Sequence, residues 1–273
     1  MTARLDGQVI LVTGSTAGLG RNMVERFAAA GADVVVTGRN RVRGEAVAKG
    51  IGGRAIYAQM DMAIEAEVEA AVATAVERFG RLTGLVNNAA TIQGRRDGPL
   101  TEIASEDWLH ILNTDLAGTY YALKHGLRAI AAAGGGAVVN ISSAAGMRGQ
   151  TGNHAYTAAK GAIQALTRAL ATYYSRYLIR VNCLVVGTVD TGEGKVRALL
   201  EDPEIGPKLR QHYLGRVGEP REVSDAAAFL LSGEASFING VELCVDNGVT
   251  AKGHAINPAP DMAGLPPPPN RWI

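Results

Sequence analysis

The 273-residue chain is 47% apolar and carries 27 basic against 26 acidic side chains, a net charge of +1 interspersed along its length. That balance provides no basic face for nucleic acid and no charged face for a membrane, so a diffusing small molecule is the expected partner. Two cysteines, Cys183 and Cys244, are too few and too far apart for a disulfide framework or a metal knuckle, and both are expected as buried, reduced thiols.

The segment Met1 to Gly7 leads straight into Val9-Ile10-Leu11-Val12, a short apolar run of the kind that forms a fully buried parallel strand. No stretch is long enough to span a bilayer and no signal-peptide core precedes the strand, which sets the expectation of a cytoplasmic protein. Thr13-Gly14-Ser15-Thr16-Ala17-Gly18-Leu19-Gly20 follows, and a helix is expected from about Leu19 to Ala30. Glycines at a strand-to-helix turn let the backbone pass close to a pyrophosphate, and the helix N-terminus supplies free N–H groups. Gly14, Ser15, Thr16, Gly18, Leu19 and Gly20 are therefore candidate dinucleotide contacts.

The second strand, from Gly31, exits at Gly38 and Arg39. At that exit an acid would accept from a ribose 2′-OH and an arginine would pair with a 2′-phosphate, so NADP is favoured over NAD. A third strand over Ala55 to Met60 leaves Asp61 and Met62 beside the adenine; Asp61 is also read as an N-cap for the helix Glu65 to Phe79. A fourth strand, Leu85 to Ala90, runs into small residues as a backbone does beneath a ligand, with Asn88, Ala89 and Ala90 as contacts and the asparagines tying loop to loop. Ile103 to Ile130 has a long helical pattern with Trp108, Ile111, Leu112, Leu116, Tyr120 and Leu123 as buried candidates. Asn113 interrupts that apolar face and needs a local bond or a water-lined site.

Gly136 to Ser143 reads as a strand ending in hydroxyls, and Ile179 to Gly187 as another strand beyond the next helix. That helix carries Tyr156 and Lys160, with Ile163, Leu166, Leu170 and Tyr173 at helical spacing. Strand, helix and strand in this order form a parallel crossover whose ligands gather at the carboxyl ends of the strands, where Ser143 and Tyr156 both belong. An ammonium one turn from a phenol favours its ionised form, bringing a group that titrates near ~10 toward neutrality. Taken alone, a Tyr and Lys pair at this spacing is far more often a solvated surface pair. His110, His125, His154, His212 and His254 show no ligand spacing, so no metal site is assigned, and His154 is read as a loop histidine with local hydrogen bonds.

From about Leu5 to Gly248 these motifs, in this order and spacing, resemble the short-chain dehydrogenase/reductase family. The resemblance implies an α/β, Rossmann-like doubly wound parallel sheet of about seven strands with helices on both faces, in a single domain over 1–250. It implies a hydride passing between nicotinamide C4 and a carbonyl carbon, with Asn113, Ser143, Tyr156 and Lys160 as the catalytic tetrad. In that tetrad Tyr156 exchanges the proton, Lys160 binds the nicotinamide ribose, Ser143 holds the substrate oxygen and Asn113 anchors a water in the proton path. It adds Gly187, Val189 and Thr191, with Val185, as cofactor contacts, and a homo-tetramer or homo-dimer. Ala90, Val186 and Asn247 depart from the family pattern, and Val186 in place of proline frees φ and restores an N–H beside the nicotinamide.

The expected activity interconverts a carbonyl and a secondary alcohol with NADP, or NAD. The alternatives are an NAD-dependent alcohol or hydroxysteroid-type dehydrogenase and, from another class, a catalytically silent dinucleotide-binding sensor. Substrate choice is expected in the loop Thr91 to Pro99 and in a helical lid over 192–215. Arg95, Arg96 and Arg148 either select an anion or are solvated. The Pro-rich extension 251–273 ends in Trp272-Ile273, an apolar anchor for a neighbouring subunit.

Overall fold

The computed structural model describes residues 4–91, 97–192, 195–213 and 215–251. Seven strands, β1 (Val9–Val12), β2 (Asp33–Gly38), β3 (Ala55–Gln59), β4 (Gly84–Asn87), β5 (Gly136–Ser143), β6 (Ile179–Val186) and β7 (Glu242–Val245), form one parallel sheet in the order β3-β2-β1-β4-β5-β6-β7. Parallel strands covered on both faces read as continuous apolar runs, and β1 and β4 are buried at every position. The chain leaves β1 toward β2 on one side and returns to β4 on the other. A crevice opens at such a reversal, outside the carboxyl ends of the strands.

Helices cover both faces: α1 (Gly18–Ala29), α2 (Arg41–Ile51), α3 (Glu65–Phe79), α4 (Ser105–Leu112), α5 (Gly118–Ala132), α6 (His154–Tyr174), α7 (Lys195–Glu201), α8 (Ile205–His212) and α9 (Pro220–Leu231). On one face Met23 and Phe27 of α1 and Val223 and Leu230 of α9 pack over β1 and β5. On the other, Val68 of α3 and Leu127 of α5 pack over Leu85 and Val181. Each side buries enough apolar area to fix the register of the central strands.

The expected long helix is divided. Between α4 and α5 the residues Asn113–Ala117 form a π-helical turn, in which the Gly118 N–H bonds the Asn113 carbonyl five residues back. Tyr120 is half exposed where burial was expected; nine residues from the buried Ile111, it lies on the opposite side of a regular α-helix. Asp61 is not the cap of α3: its Oδ1 accepts the Ala63 N–H, while Ile64 precedes the helix and gives no side-chain cap. Cys183 is buried, and desolvation pushes its thiol up to about 12. Cys244 is exposed, against expectation, because β7 is the sheet's edge strand. The segment 192–215 contributes α7 and α8. Arg95, Arg96, His254, Trp272 and Ile273 lie outside the described residues. Among the described residues no helix is long and apolar enough to cross a membrane, and no His, Cys, Asp and Glu cluster is arranged to hold a metal.

Candidate active site

The carboxyl end of β5 sets one wall of the crevice. Ser143 ends the strand, half-buried, and its hydroxyl accepts the Ala145 N–H at 3.2 Å as the chain turns into a short 3₁₀ segment. One strand residue earlier, Ser142 Oγ donates to the Lys160 carbonyl at 3.0 Å and accepts from Gln164 at 2.9 Å, locking α6 against β5.

α6 begins in an unusual way. Asn153, before its first turn, is left-handed at φ 58° and supplies no side-chain cap. The cap comes from the loop before α4: Asp97 Oδ1 accepts the Ala155 N–H at 3.1 Å and Oδ2 accepts the Tyr156 N–H at 2.9 Å. A carboxylate there satisfies first-turn N–H groups and complements the helix dipole. His154 is the first residue of α6, and its Nδ1 accepts the Leu100 N–H at 3.0 Å. Tyr156 is thereby held at the crevice. One turn on, Lys160 is buried, donates to the Ile141 carbonyl at 2.8 Å, and places its ammonium 5.5 Å from the Tyr156 ring centroid. The pair is therefore not the solvated surface couple that its spacing alone favours.

The crevice encloses about 1040 Å³. Gly14, Thr16, Gly18, Leu19, Gly20, Arg39, Asp61, Met62, Asn88, Ala89 and Ala90 line it at the β1 to β4 end, and Ser143, Tyr156, Lys160, Gly187, Val189 and Thr191 at the other. The Asn88 amide donates to the carbonyls of Thr13 and Gly14 while Thr13 Oγ1 accepts from Asn88 and Ala89, tying β4 to the glycine turn. A Cβ at Gly20 would stand 2.4 Å from the Gly14 carbonyl, so only glycine lets turn and helix close together. α1 has no side-chain cap and no acidic residue in its first turn. Its first N–H groups are thus suited to an anionic phosphate, and the crevice residues fit a dinucleotide.

Two sequence expectations fail here. Ser15 is buried away from the crevice: Oγ donates to the Val12 carbonyl at 2.8 Å and accepts the Thr37 N–H at 2.9 Å, pinning β1 to β2. Asn113 is exposed and does not line the crevice. The polar residue that the same helical segment buries is Asp115, with no solvent exposure. Its Oδ1 accepts the Thr91 N–H at 2.6 Å, and its Oδ2 is buried without a protein partner. Burial raises the Asp115 carboxyl above its ordinary range, and the charge of Lys160 pulls it back.

Arg43, His110, Thr188 and Tyr213 also line the crevice and carried no sequence signal. Tyr213 Oη lies 2.6 Å from Thr188 Oγ1, linking the segment after α8 to the end of β6. The departure at Asn247 has a backbone consequence that asparagine meets: it sits at φ 51°, a left-handed region that short polar side chains tolerate. Arg148 bonds the Thr250 carbonyl.

A family profile described as enoyl-(acyl carrier protein) reductase matches residues 14–250. A 2,5-dichloro-2,5-cyclohexadiene-1,4-diol dehydrogenase of Sphingobium indicum is 41% identical over 249 residues, 90% of this chain and 98% of that protein. A short-chain type dehydrogenase/reductase from Mycobacterium ulcerans superposes with a TM-score of 0.86 at 32% identity, covering 91% of this chain and 92% of that one. A gluconate 5-dehydrogenase from Burkholderia cenocepacia, solved with NADP and tartrate, gives 0.85 at 33% identity, covering 92% and 98%. By this profile match, these identities and these superpositions the chain belongs to the short-chain dehydrogenase/reductase family, and it is an NAD(P)-dependent oxidoreductase acting on CH–OH groups.

Proposed function

We propose that the protein interconverts a ketone and a secondary alcohol, with Tyr156 exchanging the proton at the substrate oxygen and NADP(H) as the favoured cofactor. The observation that carries this reading is the grouping of Tyr156, Lys160 and Ser143 at the carboxyl end of β5, with Lys160 buried one turn from the phenol. When bound, the nicotinamide supplies or accepts the hydride at the carbon. In the reducing direction Tyr156 Oη–H gives its proton to the carbonyl oxygen; in oxidation the phenolate takes it from the alcohol. Ser143 Oγ–H donates to the same oxygen as charge develops on it. Lys160 places its ammonium beside the phenol and supplies a donor for the nicotinamide ribose. Asn113 takes no part in this proton path, since its side chain is exposed.

NADP is favoured by two guanidinium groups at the adenosine end. Arg39 and Arg43 both line the crevice where β2 ends in Gly38 and no acid follows it. Arg39 lies 4.0 Å from Asp61 and is 73% exposed, a weak pairing that a 2′-phosphate displaces. The diol dehydrogenase relative supports a ring secondary alcohol as the substrate class. The helices α7 and α8, joined to β6 through Tyr213 and Thr188, close over it as a lid. The exposed Tyr120 of α5, Tyr173 of α6 and Tyr177 of the short 3₁₀ turn after α6 support association into a homo-tetramer.

The test is steady-state turnover of purified protein with NADP and NAD against a panel of cyclic secondary alcohols and ketones. Turnover with at least a tenfold preference for NADP is expected, the scale of one charge-assisted contact, ~1.5–3 kcal/mol. Cofactor binding without turnover of any substrate would instead identify a dinucleotide sensor.

A further inference from the structure

Two hydroxyls on the wall of the crevice take no part in the proton transfer or in the cofactor contacts named above. Thr188 Oγ1 and Tyr213 Oη lie 2.6 Å apart, and neither has another hydrogen-bond partner among the described residues. Each hydroxyl carries one proton and two acceptor lone pairs, so their mutual bond uses one proton and leaves the other to donate to a ligand. A hydroxyl already engaged in such a bond is polarised by it, which strengthens the next bond in the chain.

The pair stands near the reacting groups and is rigidly held. β5 and β6 pair with Ser143 opposite Val186, and Thr188 is two residues further along the same chain. Tyr213 arrives from the end of α8: its N–H donates to the Leu209 carbonyl at 3.1 Å, and its carbonyl accepts from Asn247 Nδ2 at 2.5 Å. Its ring is 9% exposed and lies so close to Gly187 that a Cβ there would meet Cε1 at 3.1 Å. The surroundings are apolar. Val186 and Val189 stand on either side of Thr188 in the chain, Val196 packs in the small cluster built on Tyr213, and all three line the crevice. A few fixed polar groups in an apolar wall set the orientation of a ligand.

We infer that Thr188 and Tyr213 form a subsite for a second substrate oxygen, so that the ring alcohol oxidised here carries a further hydroxyl or carbonyl besides the one that reacts. The inference rests on the reaction proposed above. Ser143 and Tyr156 take the reacting oxygen, and the spare proton of the Thr188 and Tyr213 pair goes to the other. A substrate that lacks the second oxygen covers this pair with apolar ring and leaves a desolvated donor unpaired, which is the source of the discrimination.

The test compares kcat/KM of the full-length enzyme, with saturating NADP, for cyclohexanol and for the 1,2-, 1,3- and 1,4-diols of cyclohexane. The wild type is expected to favour at least one diol by about tenfold or more, the scale of a hydrogen bond in a desolvated site and well beyond the statistical advantage of two oxidisable hydroxyls. Tyr213→Phe and the isosteric Thr188→Val are each expected to lower that ratio by about fivefold or more, whereas Thr188→Ser, which keeps the hydroxyl, retains it. A pair that only ties the lid to β6 would cost every substrate alike. A ratio unmoved in both variants therefore overturns the inference, and so does a wild type without diol preference. Should Tyr213→Phe fail to fold, the ratio in Thr188→Val decides alone. Oxidation of neither cyclohexanol nor any diol defeats the proposed reaction and the inference with it, whereas turnover of all of them at equal kcat/KM defeats only the second-oxygen subsite.

Discussion

The carboxylate of Asp97 accepts the backbone N–H of Tyr156 at 2.9 Å, so a loop residue 59 positions away holds the first turn of the helix that presents the phenol. The same carboxylate accepts from Ala155 and Gly98. Because Asn153 contributes no cap of its own, nothing else on that turn replaces Asp97. Asp97→Ala is expected to cost ~1–2 kcal/mol of stability, the usual worth of a lost cap, and to lower kcat more than it raises the cofactor KM. Urea unfolding together with steady-state kinetics checks it, and an unchanged kcat would show that the cap does not position the phenol.

Arg39 carries the second prediction. Among the described residues its only ion pair is the 4.0 Å approach to Asp61 on an exposed surface, so its removal should leave stability within ~0.5 kcal/mol. Arg39→Ala is expected to weaken NADPH binding about tenfold while leaving NADH binding unchanged. Fluorescence titration with each cofactor reads the difference. Equal losses for both would place the guanidinium away from any 2′-phosphate.

Strands β1, β2, β4, β5 and β6 were legible as largely apolar runs closed by glycine or a small polar residue, and the glycine turn was legible from its place between β1 and α1. The polar residue on the buried side of the long helix was not. Asn113 drew attention by residue type, yet it lies two residues from the buried Ile111, about 200° around an α-helix. Ile111, Asp115 and Thr119 recur at steps of four and are all buried, so the phase of the pattern identifies Asp115 where composition suggests Asn113. Ser15 was misread because a hydroxyl in a glycine-rich turn serves a ligand or a neighbouring strand equally well, and here it bonds β1 and β2. Asp97 and Arg43 reach the site from a loop and from an exposed helix face. Local periodicity carries no information about either.

Stability should depend on pH through Glu222. Hydrogen bonds from Arg216, at 2.7 and 2.8 Å, hold its carboxyl below the usual range, and the Glu219 N–H adds to them. A carboxyl lowered on folding contributes stability that is full above its unfolded value, ~4.3, and is lost as pH falls through the lower folded value. The pair is more than a third exposed, so solvent screening keeps its worth below ~1 kcal/mol. Glu222→Gln is expected to be less stable than the wild type at pH 7, with the gap closing below pH ~4. Urea melts across pH measure this, and a gap constant in pH would assign the loss to packing.

The most direct measurement is single-turnover and steady-state kinetics of Tyr156→Phe beside its NADPH affinity. Phenylalanine keeps the ring beside Lys160 and removes only the hydroxyl. The account predicts wild-type cofactor binding with turnover reduced by ~10² or more. Turnover close to that of the wild type would contradict it, because the proton at the substrate oxygen would then come from another group.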